Sequence, residues 1–185
     1  MRAAFNENRH GQLLNILAQG GFVREYVDLC RHYQKTNYAD ERPKLDFDKV
    51  TGLFKACDPS AKALKKWRMI EFGQESIGDW VWTGSLVVKK YDGLDPMMEG
   101  VTEDGAESVG SNWISLADDA RMLLSETLRP SHIDFSRPYY DGSMQTMTRM
   151  VPDLVAIFER MKALIRHGWA NTDQASPPQR EAAVL

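Results

Sequence analysis

The sequence predicts a mainly α fold, a single-domain helical bundle of about five to six helices with one small β-hairpin at about 78–91. Apolar residues recur at i, i+3 and i+4 in several windows, the spacing that gathers them on one face of a helix. Start signals stand before those windows, among them Asp58-Pro59 and Ser115-Leu-Ala-Asp. A single stretch, Asp79 to Tyr91, carries the aromatic and β-branched residues expected of strands.

Taken in order, residues 11–36 read as helix interrupted at Gly20-Gly21. Leu13, Ile16 and Leu17 share one face before the break, and Val23, Tyr26, Val27, Cys30 and Tyr33 share one after it. Two adjacent glycines are costly inside a helix, so a kink or a short turn is expected between the halves. Thr36 to Lys44 reads as a loop. Asp46 or Asp48 caps a third helix whose core face is Val50, Phe54 and Cys57.

Asp58-Pro59 ends that helix and starts a fourth, because proline at the first helical position lacks only an N–H that would be unpaired there. The fourth helix runs to about Gly73, with Ala63, Trp67 and Ile70 facing inward and Lys62, Lys65, Lys66 and Met69 on another side. A hairpin follows, with Gly84-Ser85 as its turn. Residues 92–111, with Asp92, Asp95, Glu99, Glu103, Asp104 and Glu107, read as an acidic mobile loop.

Ser115 and Asp118 form a capping box for the next helix, with Trp113 as its staple and Leu116, Ala120, Leu123 and Leu124 buried. Pro130 to Gly142 reads as a loop. The last helix spans about 143–167 with a Met144, Met147, Val151, Leu154, Val155, Phe158, Met161, Ile165 stripe, kinked or restarted at Pro152. One helical domain over 1–170 and a disordered tail over 171–185 are expected.

The net charge of −3 argues against a protein coated with nucleic acid or anionic lipid. Residues 1–91 hold 15 Lys and Arg against 11 Asp and Glu, and residues 92–128 hold 1 against 9. A local basic site and a local acidic one are therefore both open. Cys30 and Cys57 lie in apolar helical patterns and read as buried free thiols. The first ten residues lack the apolar run of a signal peptide, and no apolar run reaches the ~18 residues of a membrane helix. A soluble, reducing, cytoplasmic setting is the expectation.

The leading expectation is a non-catalytic accessory, regulatory or assembly protein that binds a protein partner through an aromatic and methionine-bearing surface and an acidic loop. Arg137, Tyr139 and Tyr140 present hot-spot residue types in a turn, and Glu99, Glu103, Asp104 and Glu107 offer charge to a basic partner. Met97, Met98, Met144, Met147 and Met150 supply side chains that adapt to a partner. The alternative is a nucleic-acid-binding protein with a winged helix-turn-helix-like unit at about 46–91. Lys62, Lys65, Lys66 and Arg68 would meet phosphate from the second helix, and Lys89 and Lys90 from the wing.

A metal-dependent enzyme stands third. Glu25, Asp28 and His32 share one helix face at i, i+3 and i+7 and could join a metal site, although a solvated stripe with Asp28 and His32 as an i, i+4 pair is the better reading. The sequence contains no Cys-x-x-Cys, P-loop, Gly-x-Ser-x-Gly or Gly-x-Gly-x-x-Gly. No catalytic residue and no cofactor is implied.

Overall fold

The computed structural model describes residues 9–34, 45–88, 94–124, 137–141 and 143–169. Helix α1 (Arg9–Gln19) and helix α2 (Phe22–His32) are separated at the paired glycines, where Gly21 takes a left-handed φ of 83°. An L side chain disfavours that conformation, so the glycine makes the corner. The two helices bury Leu13, Leu14 and Leu17, then Phe22, Tyr26, Leu29 and Cys30. Helix α3 (Phe47–Cys57) opens on Asp46, whose carboxylate accepts the Lys49 N–H at 3.1 Å.

Beyond α3 the structure departs from the expected bundle. The chain forms an antiparallel meander of five strands in sequence order: β1 (Lys62–Leu64), β2 (Met69–Ile77), β3 (Trp80–Val88), β4 (Leu94–Thr102) and β5 (Ser108–Asn112). A mixed helix-and-sheet fold therefore replaces the mainly α one. No fourth helix exists over 59–72. Asp58 caps no helix start; its carboxylate accepts from Ser60 N at 2.9 Å and from Gly73 N at 2.5 Å. The aspartate thus turns the chain after α3 and ties that turn to β2, where a bulge lies between Phe72 and Glu75. Lys62–Leu64 pairs with Met69–Glu71, and Lys65–Trp67 is one 3₁₀ turn between them.

The expected hairpin turn at Gly84-Ser85 is also absent, since β3 runs straight through it and pairs on both sides. Glycine is required there for another reason: a Cβ on Gly84 would lie 2.9 Å from the Phe72 ring. Residues 94–111, expected within the acidic loop over 92–111, fall on β4, a closed turn and β5. Strand β4 holds poor strand formers, Asp95, Pro96 and Gly100. Pro96 sits where pairing with β5 has ended at Met97, so β4 has a neighbour on one side only at that point. Gly100 lies under Trp82, whose ring would stand 2.8 Å from an added Cβ.

Asn112 Oδ1 accepts Ser115 N at 2.8 Å and caps helix α4 (Trp113–Leu124), three residues before the expected cap. Helix α5 (Met144–Trp169) opens on Ser143, whose Oγ accepts Thr146 N at 3.1 Å, and it continues through Pro152. Its predicted stripe is buried at Met147, Val151, Leu154, Phe158, Met161 and Ile165, with Met144 and Val155 half-buried.

The helices cover one face of the sheet. Helix α5 packs on β2, α4 on β4 and β5, α1 on β5 and α3 on β1 and β2. Trp80, Trp82, Leu86 and Met98 point into that layer, with Trp169 of α5 edge-on to Trp80 and Trp82 at 5.5 and 5.4 Å. Cys30 is buried as expected, but Cys57 is exposed. The predicted tail at 171–185 lies outside the described residues.

Candidate binding surfaces of the sheet

Strand alternation settles what the second face carries. Because the even-numbered positions of β3 point at the helices, Val81, Thr83, Ser85 and Val87 point away. The register sets them beside Met69, Glu71 and Ser76 of β2 and beside Met97, Glu99 and Val101 of β4. Met69, Val81, Val87, Met97 and Val101 are each only half-buried, whereas their counterparts on the helical face are fully buried. Glu71 is held by Lys62 across the β1–β2 pair at 2.8 Å, and Glu99 is exposed.

The turns give the sheet two electrically different ends. At one end the β1–β2 turn carries Lys65, Lys66, Trp67 and Arg68. Its shape is fixed: Arg68 adopts a φ of 53°, its N–H bonds to Lys65 O at 3.1 Å, and its Nε bonds to Val88 O at 3.0 Å. Lys65 reaches Asp48 of α3 at 2.8 Å, and the Lys66 ammonium lies 5.2 Å from the centre of the Trp67 ring. Trp67 is 65% exposed, the most of any large apolar residue described. Its helical spacing with Ala63 and Ile70 predicts a core position, which the turn overrides.

The other end is acidic. The β4–β5 turn holds Glu103, Asp104 and Glu107, all exposed, and Glu103 N bonds to Asp79 O of the β2–β3 turn at 2.9 Å. Four carboxylates therefore sit on two touching turns. Thr102 and Glu107 close the turn through Thr102 N to Glu107 O and Glu107 N to Thr102 Oγ1, both at 3.0 Å. Asp104 accepts Ala106 N at 3.0 Å, and that bond, aided by Thr102, holds its carboxyl below the usual carboxylate range.

The other expected site residues are placed differently. Tyr140 is 4% exposed, and burial, with Asp141 and Asp46 nearby, raises its phenol above the ordinary value. It is a core side chain. Tyr139 is half-buried, its N–H bonding to Tyr33 O at 2.7 Å, and Arg137 approaches the buried Asp95 at 3.6 Å. The 137–140 turn is thus bound to its own domain. Met98, Met147 and Met150 are core, which leaves Met97 and Met69 on the open face. Lys89 and Lys90 follow Val88 directly in sequence but lie outside the described residues.

Glu25, Asp28 and His32 line a hollow of about 310 Å³ between α2 and α5, together with Asp153, Ile157 and Arg160. Two of its carboxylates are engaged: Glu25 with Arg160 of the lining at 2.7 Å, and Asp153 with Tyr33 Oη, from outside it, at 2.7 Å. Among the described residues no three His, Cys, Asp or Glu side chains are grouped to hold a metal ion. No helix among them is long and apolar enough to cross a membrane.

No protein-family model, curated protein or solved structure matches the chain.

Proposed function

We propose that this protein is a non-catalytic accessory or assembly protein that binds a protein partner on the face of its sheet that no described helix covers. One observation carries the proposal: five half-buried aliphatic side chains, Met69, Val81, Val87, Met97 and Val101, lie on the face that no described helix covers, between a basic end and an acidic end. Apolar area supplies affinity on association, and charge of opposite sign at the two ends fixes the orientation of whatever lies across it. At about 3.4 Å per residue and about 4.8 Å between strands, the five strands present roughly 550 Å² in projection. A standard interface takes about 800 Å² from each partner, so contact extends onto the turns.

A long nucleic acid fits this face poorly, because Glu71, Glu99 and the Asp79, Glu103, Asp104, Glu107 end would repel its phosphates. A photoreactive amino acid at Thr83 or Ser85, both half-exposed on the face, should cross-link one discrete protein in cells. The same group at Gln145, exposed on α5, should not. Identical products from the face and from α5, or none from the face, would refute the proposal.

A further inference from the structure

The β1–β2 tip asks for a different ligand from the sheet face. Trp67 stands 65% exposed on a turn whose backbone is pinned to Val88 at both ends of Arg68, through Val88 N to Arg68 O at 2.8 Å and Arg68 Nε to Val88 O at 3.0 Å. An indole held out on a fixed turn keeps its ring available without an ordering cost at the moment of binding. Lys65, Lys66 and Arg68 are its sequence neighbours, and all three are exposed. The Lys66 ammonium covers the ring from 5.2 Å, while Lys65 is shared with Asp48. An aromatic face beside several cations is the combination that holds single-stranded nucleic acid, by stacking a base and neutralising the flanking phosphates.

We infer that the Lys65–Arg68 tip binds single-stranded DNA or RNA over a short stretch of nucleotides. Trp67 stacks on one base, and Lys65, Lys66 and Arg68 contact the phosphates. Reading a duplex through the major groove requires an inserted helix or two-stranded ribbon. The helix expected over 59–72 is not there, and the β1–β2 pair is no free ribbon, since β1 has three residues and β2 is also paired with β3. A lipid surface fits less well. Interfacial anchoring draws on a broad apolar face, and among the described residues the other large exposed apolar ones, Met122 and Leu124, belong to α4.

Three phosphate contacts set the salt dependence. At about 0.7 per phosphate for single strands, the log–log slope is about −2, which weakens binding roughly 20-fold between 50 and 200 mM salt. Fluorescence anisotropy of the intact protein with labelled twelve-nucleotide oligo-dT and oligo-U measures it directly. Trp67→Ala should weaken binding at least about tenfold and Trp67→Phe much less, since a phenyl ring still stacks. Lys65→Glu with Lys66→Glu should abolish it, and an equal-length duplex should bind far more weakly. Thermal melting of each variant checks that the fold is intact, which the exposure of Trp67 favours. Absence of single-strand binding by wild type at 50 mM salt would overturn the inference, as would full binding by a folded Trp67→Ala variant. A preference for phosphatidylserine vesicles over oligonucleotides, lost in Trp67→Ala, would overturn it too.

Discussion

Lys162 is the perturbation that tests the packing of helices on the sheet most sharply. Its side chain on α5 is 4% exposed, and its ammonium sits 3.0 Å from Gly73 O, 3.0 Å from Glu75 Oε2 and 2.8 Å from Glu159 Oε1. All three donors are therefore used, and two of them fasten α5 to the bulge of β2 while the third stays within α5 at Glu159. Lys162→Met keeps most of the stem and removes the charge. Breaking a buried pair by removing one partner costs about 3–5 kcal/mol when the survivor stays buried. Here Glu159 is half-exposed and Glu75 keeps Arg166, so about 2 kcal/mol is expected, or about 4–8 °C in melting temperature. Lys162→Ala also loses three methylenes beside the Phe158 ring, about 0.8 kcal/mol each, for a total near 4 kcal/mol.

The Glu75 carboxyl is held below its ordinary value by Arg166 first and then by Lys162, opposed by burial. A depressed folded value stabilises the protein above the unfolded value, and the increment is lost as pH falls through the folded one. Glu75→Gln should therefore flatten the decline of the urea midpoint below about pH 4.3, the unperturbed glutamate value. A Lys162→Met variant that melts above wild type would refute the reasoning, because desolvation of the ammonium would then outweigh its three contacts.

Three further outcomes follow from burial and close approach. Gly100→Ala forces a Cβ to within 2.8 Å of the Trp82 ring, so a loss of about 1–3 kcal/mol with a shift in tryptophan emission is expected on melting. Tyr140→Ala should cost about 3 kcal/mol in urea denaturation, as a core truncation does, and should leave oligonucleotide affinity unchanged. In the native protein a thiol reagent should titrate Cys57 at once and Cys30 only after denaturant is added; two fast thiols would contradict the buried placement of Cys30.

How much of this was legible depends on the range over which each decision is made. The α1–α2 corner is local: two glycines, one left-handed φ, and a stripe on either side. The α5 stripe is local too, with Met147, Val151, Leu154, Phe158, Met161 and Ile165 buried as their spacing predicts, although one helix runs through Pro152, where a kink or a restart is expected. Asp58-Pro59 shows the limit. The same aspartate could cap a helix or turn the chain, and what selects the turn is Gly73, fifteen residues on, whose N–H it accepts. Strand β4 is further still from its sequence signal. Asp95, Pro96, Glu99 and Gly100 describe a loop by propensity, and the strand exists because β3 pairs along its whole length and Trp82 lies on Gly100.

The two charged ends were half visible in the same way. The acidic segment and the basic segment were both plain in the charge map, yet their opposition comes from the meander. In an antiparallel meander alternate turns fall at the same end of the sheet. The β2–β3 and β4–β5 turns therefore bring Asp79 to Glu103, Asp104 and Glu107. The same connectivity explains why Trp67 was misplaced. Ala63, Trp67 and Ile70 have helical spacing, but Ala63 and Ile70 are cross-strand partners, and Trp67 stands on the turn between them. A pair joined across two strands satisfies the i, i+7 spacing as well as one helix face does, and it sends the residue in the middle outward. Residues spaced like a buried stripe thus become two inward contacts and one exposed indole, the arrangement on which the binding inference rests.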